Sequence, residues 1–111
     1  MEITTTRFKR CDLVKVTGRV NSQTAPQLAE AFRAIQDEDR FKIVFDMSDV
    51  EYISSAGLRV MIDVQKTCKR WNRGGMALAN VPERIYEALN LVGFVPLFNI
   101  FDDVTEAVGS F

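Results

Sequence analysis

With 111 residues the chain can build one modest core and is too short for two domains of ordinary size, so a single domain over residues 1–111 is expected. Its 14 basic and 15 acidic residues are interspersed and leave a formal charge of −1, which excludes the cationic footprint of a nucleic-acid binder and points to protein or small-molecule partners. No apolar run approaches the ~18 residues of a membrane span, the opening MEITTTRFKR lacks a signal peptide's apolar core, and Cys11 and Cys68 have no ligand spacing; a cytoplasmic protein with free, buried thiols is the expectation.

Residues from Ile3 to Phe8 alternate weakly and include three threonines, as in a partly exposed edge strand. Lys9, Arg10 and Asp12 suit a hairpin turn, and Leu13, Val14 and Val16, ending at Thr17 and Gly18, predict the second strand. At Thr24 the period changes. Thr24 can cap a helix whose first turn tolerates Pro26, with Leu28, Ala31, Phe32 and Ile35 on one face and Asp37 to Arg40 ending it. Phe41, Ile43, Val44 and Phe45 then read as a strand buried on both faces.

A second amphipathic helix follows, on Leu58, Met61, Ile62, Val64, Cys68 and Trp71, closed by Gly74 and Gly75 behind the basic residues Lys66, Lys69, Arg70 and Arg73. Met76 to Ala79 predicts a short buried strand. Pro82 opens a helix carrying Ile85, Leu89 and Val92 and stopped by Gly93. The cluster Phe94 to Phe101 holds a last strand interrupted by Pro96, and Asp102 or Asp103 caps a final helix with Val104, Ala107 and Val108 inward. Strands alternating with helices imply an α/β fold: a mostly parallel central sheet of roughly four or five strands, an antiparallel N-terminal edge strand and about four helices.

The stretch Asp46 to Leu58, DMSDVEYISSAGL, joins the central strand to the second helix, where α/β folds place working groups and a helix N-terminus offers free N–H groups. Ser55 there has Ile53 and Gly57 where a hydrolase nucleophile elbow needs two glycines, and the chain has no histidine to act as general base, so catalysis by Ser55 is not expected. Asp46, Asp49 and Glu51 have no second acidic cluster, and no phosphate-binding or dinucleotide loop is present; neither metal nor cofactor is expected. From the residues alone, Ser54 or Ser55 caps the helix and Gly57 permits close packing. A hydroxyl exposed at that position can also accept a phosphoryl group, because the helix dipole tolerates the added charge.

The string DMSDVEYISSAGLRVMIDV resembles the phosphorylation-site region of the STAS domain of bacterial anti-sigma factor antagonists. TGRVNSQTAPQL, from Thr17 to Leu28, is similar to that family's strand-loop-helix signature, and the C-terminal run from Gly93 to Val108 agrees. The resemblance implies a non-enzymatic binding module that, unphosphorylated, binds an anti-sigma factor which is also a serine kinase and so frees a sigma factor for transcription. Phosphorylation by that kinase inactivates the antagonist, and a serine phosphatase restores it. The family's acceptor is the second residue before the motif's glycine, which is Ser55 here, with Ser54 as the alternative. The implied partner surface comprises Arg19, Asn21, Ser22, Thr24, Ser54, Ser55, Ala56, Gly57 and Arg59. Where the family often has acidic residues this chain has Arg19, Asn21 and Ser54, leaving the surface beside Ser55 less acidic. The resemblance implies no nucleic-acid contact and no membrane insertion, and any homodimer is expected to be weak. The same fold also serves as a subunit of lipid-transport ABC complexes and as a scaffold in stress signalling, and these stand as the alternative.

Overall fold

In the computed structural model, which describes residues 1–111, the chain runs β1 (Glu2–Arg7), β2 (Asp12–Val20), α1 (Ala25–Asp37), β3 (Lys42–Ile53), α2 (Ser55–Lys69), β4 (Gly75–Ala79), α3 (Glu83–Leu91), β5 (Asn99–Phe101) and α4 (Val104–Gly109). The strands form one five-stranded sheet in the order β1-β2-β3-β4-β5. β1 pairs antiparallel with β2 and every other pair is parallel, which is the α/β architecture expected.

β3 is the central strand, and its side chains alternate between two apolar layers. Ile43, Phe45 and Met47 enter the larger core with Leu28 and Phe32 of α1, Met61 and Val64 of α2, and Ile85 and Leu89 of α3. Val44 faces the other side, with Ala77, Ala79 and Ala107 of α4. Phe32 meets Phe45 edge-on with ring centroids 5.4 Å apart, anchoring α1 to the middle of the sheet.

Several elements depart from the sequence expectation, each for a local reason. β3 continues through Asp46, Asp49 and Glu51 to Ile53, and β2 continues past Gly18 to Val20, so the expected connecting stretch is largely paired strand. Register shifts between Lys15 and Thr17 and between Gly18 and Arg19 each give β3 one extra residue. Burial along β3 then falls on Met47, Val50 and Ile53, a spacing of three that hides the strand's alternation. Gly18, on β2 facing the second of these shifts, takes a φ of 109° that favours glycine.

Asp12 lies in β2 rather than in the turn, buried and paired with Arg40, whose guanidinium also donates to the carbonyls of Phe8 and Cys11. Trp71 leaves the α2 stripe because the helix ends at Lys69; its φ of 62° turns the ring outward, 81% exposed. Trp71 and Asn72, not the glycines, take the left-handed conformations there. Gly74 instead permits a close approach, since a Cβ would run into the carbonyl of Phe41, which accepts the N–H of Gly75 at 2.9 Å. Val92 ends α3 exposed rather than inward, whereas Gly93, at φ 77°, stops the helix as expected. Asp103 caps α4 by accepting the N–H of Glu106 at 2.8 Å.

Candidate functional site

The parallel β2–β3 ribbon reaches beyond β4, whose pairing with β3 ends at Asp46 and Ala79, and so carries the starts of α1 and α2 on its free end. The Ser54 N–H donates to the carbonyl of Val20 at 2.8 Å, extending the ribbon by one bond before α2 begins. Ser54 is the N-cap: its backbone is extended and its Oγ accepts the N–H of Gly57 at 3.4 Å. Ser55 is the first helical residue and is exposed. The two serines therefore divide the duties that the sequence leaves open, with Ser54 half-buried and engaged and Ser55 presented to solvent. The first turn of α2 contains no acidic residue to offset the positive end of its dipole.

Gly57 is buried beneath this turn. A Cβ there would stand 2.7 Å from Cγ1 of both Ile53 and Val20, so the missing side chain lets the helix start sit directly on the strand ends. Ala56 is half-buried, and Arg59, four residues after Ser55, is exposed on the same side of the helix.

The neighbouring connection, Asn21 to Thr24, is tied by its own side chains. Asn21 Oδ1 accepts the N–H groups of Gln23 at 2.9 Å and Thr24 at 3.0 Å. Thr24 Oγ1 accepts the N–H of Asn21 at 2.9 Å and donates to the carbonyl of Arg19 at 3.0 Å. Thr24 holds the N-cap position of α1, yet its hydroxyl makes no capping bond because it faces back into this loop. Asn21 and Thr24 thus shape the loop with their polar atoms, while Ser22 lies exposed at its tip. An asparagine followed three residues later by threonine is a turn signal, and the reciprocal bonding it produces was the unrecognised part of the string NSQT. Arg19 is exposed on β2, and the register places it opposite Tyr52, whose ring lies 4.5 Å from its guanidinium carbon. Sequence reasoning passed over Tyr52, which became a surface residue only through the bulge at Glu51.

The acidic residues do not converge. Asp46 is buried and its Oδ1 accepts from the Ser48 N–H and the Asn80 amide, whereas Asp49 pairs with Lys15 at 3.3 Å across the ribbon. No group of three or more His, Cys, Asp or Glu side chains is placed to hold a metal ion. Both cysteines are free and buried, and burial is the main cause that raises each thiol above its ordinary value. No helix is long and apolar enough to cross a membrane.

Comparison with known proteins agrees with this fold. The STAS domain model matches residues 2–107. BtrV, a candidate anti-sigma factor antagonist of Bordetella bronchiseptica, is 29% identical over 111 residues, covering 100% of this chain and 95% of its own length. The crystal structure of a candidate anti-sigma factor antagonist from Thermotoga maritima superposes with a TM-score of 0.90 at 22% identity, over 97% of this chain and 92% of that one. The phosphorylated form of the Bacillus cell fate determinant SpoIIAA shares the fold with a TM-score of 0.78 at 11% identity, over 98% of both chains.

Proposed function

This chain belongs to the STAS domain family, and on that premise we propose that it is an anti-sigma factor antagonist switched by phosphorylation of Ser55. In its unmodified form it binds an anti-sigma factor with serine-kinase activity in the cytoplasm, and the sigma factor is released for transcription. The kinase then modifies Ser55 and a serine phosphatase reverses the modification. The protein itself is the substrate and the ligand in this cycle, not the catalyst.

One observation carries this function: of the two adjacent serines, Ser54 is spent on capping α2 while Ser55 stands exposed at the first helical position. A kinase needs a hydroxyl that it can reach without unfolding the protein, and of the two adjacent serines Ser55 meets that condition. A phosphate there adds a charge of about −1.5 to −2 at the positive end of the helix dipole, within reach of Arg59 one turn on. The modification is therefore tolerated by the fold and is felt by the partner. If the partner covers Ser22, Arg19, Ser55 and Arg59, a desolvated dianion costs several kcal/mol against it, so affinity falls by about a hundredfold or more.

The test is titration of the anti-sigma factor encoded by the same organism with Ser55→Ala, Ser55→Asp and Ser54→Ala chains. Ser55→Ala should bind as tightly as the natural chain and resist inactivation by ATP. Ser55→Asp should bind more weakly, though less so than the phosphorylated chain, because a carboxylate has less charge and fewer acceptor oxygens. Ser54→Ala should lose about 1 kcal/mol of stability with the cap and still be inactivated. Inactivation abolished by Ser54→Ala and retained in Ser55→Ala would reverse the assignment.

A further inference from the structure

A second surface lies at the opposite end of α2, about 20 Å from Ser55 along a helix of 15 residues. There a groove of about 490 Å³ runs between the last turns of α2 and the single 3₁₀ turn Val95–Leu97. Ile62, Pro96 and Leu97 give it an apolar floor, and Lys66, Lys69 and Arg70 stand along one side. All three cations are exposed, none takes part in an ion pair, and no carboxylate lines the groove. From Val64 to Pro82 the sequence contains no Asp or Glu, in a chain whose isoelectric point is about 5.4.

Cations near a helix C-terminus complement the dipole, which is reason enough for Lys66 and Lys69 to be charged. The dipole does not explain the apolar floor beside them. Nor does it explain Trp71, the residue after Arg70, which is held outward in a left-handed turn. Arg70 lines the recess and Trp71 follows it in the chain, and arginine and tryptophan are residue types enriched at interface hot spots.

We propose that this groove docks an acidic amphipathic helix of a protein partner. Apolar side chains at helical spacing would fill the recess over Ile62 and Leu97, and flanking carboxylates would meet Lys66, Lys69 and Arg70. Unpaired cations beside apolar residues favour an acidic protein partner with an apolar face, and anionic vesicles distinguish a lipid surface from it. The surface is separate from Ser55 and its occupancy does not depend on phosphorylation.

The whole protein can be tested with a synthetic amphipathic peptide of leucine and glutamate, leucines at i, i+3, i+4 and i+7. The same peptide with lysine for glutamate, and phosphatidylglycerol vesicles, form the other arms. Calorimetry measures binding, and amide resonances locate it. The glutamate peptide should bind saturably, shift the resonances of Ile62, Lys66 and Leu97, and weaken about tenfold or more in a Lys66→Glu, Lys69→Glu double variant. Both lysines are exposed, so circular dichroism of the variant should match the natural chain. Absence of saturable binding, binding that survives the charge reversal, equal binding of the lysine peptide, or preference for the vesicles would each overturn the proposal.

Discussion

Replacing Gln65 with leucine isolates one buried polar device that the sequence pattern disguises as an ordinary helix residue. Gln65 is buried on α2, and its Oε1 accepts the N–H of Met76 at 2.6 Å. Its amide nitrogen donates to the carbonyls of Met76 at 3.3 Å and Leu97 at 2.7 Å. β5 joins β4 only from Ala77 onward, so Gln65 substitutes for a strand partner at Met76 and also ties down the chain before β5. Leucine is of similar size, so the recess remains filled, but the buried N–H of Met76 is left without an acceptor. That orphaned group costs about 1–3 kcal/mol, and the two deserted carbonyls together add about 1 kcal/mol. Added apolar burial offsets about 1 kcal/mol, leaving a net loss of roughly 1–3 kcal/mol.

Urea unfolding followed by far-ultraviolet dichroism should show the midpoint falling by about 1–2 M with the slope unchanged, and the melting temperature falling by roughly 5–15 °C. Gln36→Leu is the internal control. Its amide makes only two long contacts, 3.4 Å to the Val64 carbonyl and 3.3 Å to Cys68 Sγ, at a half-buried position, so its loss should stay below about 1 kcal/mol. A Gln65→Leu loss no greater than that of Gln36→Leu would refute the assignment of Gln65 as the surrogate strand partner.

Arg40→Ala should destabilise the fold by about 3 kcal/mol or more, since it strands the buried Asp12 carboxylate, whereas Arg7→Ala, which breaks an exposed pair with Glu38, should stay within about 0.5 kcal/mol; chemical denaturation of the two variants measures the contrast. Gly57→Val should lower stability by about 1–3 kcal/mol despite valine's better helix propensity, because the new side chain meets Ile53 and Val20, and a melting temperature at or above that of the natural chain would contradict the packing described. Burial raises the Cys68 thiol above its ordinary value of 9.0, so between that value and the higher folded one the unfolded chain holds fewer protons than the folded chain and stability falls as pH rises. Cys68→Ala should be less stable at neutral pH yet show a shallower decline as pH rises above the thiol's ordinary value of 9.0, as read from urea midpoints.

The fold was legible because period and punctuation agree along most of the chain. Leu28, Phe32 and Ile35 repeat at helical spacing and do pack inward, and Met76 to Ala79 forms the short buried strand its composition predicts. Legibility failed where a local rule was displaced by tertiary geometry. Two bulges turned the burial of β3 to a spacing of three, so Asp46 to Ile53 read as connection when it is strand. Asp12 and Arg40 looked like solvated turn residues because their pairing joins positions 28 apart, which no local pattern reveals. Trp71 extended an apolar stripe that the helix does not reach, since the contact of Gly75 with Phe41 draws the backbone back toward β3 before another turn can form.

At the candidate site, the position of the serines at the helix start was readable from small polar residues between two apolar runs. The allocation of capping to Ser54 was not, because either residue satisfies the cap preference. The loop beside them was legible as a surface and illegible as a knot: Asn21 and Thr24 carry turn-forming chemistry, but which atoms bond to which follows from the meeting of β2's end with α1's start.

Under the proposed function, Ser55 is the residue whose modification turns binding off. The most direct measurement of that switch is mass-spectrometric site mapping after incubation with the native kinase and ATP, followed by calorimetric affinity of the modified and unmodified chains for that kinase. Phosphate on Ser55 alone, with affinity at least a hundredfold weaker and an unchanged melting profile, is the predicted result. Phosphate confined to Ser54, or equal affinity of the two forms when Ser55 is fully modified, would contradict it.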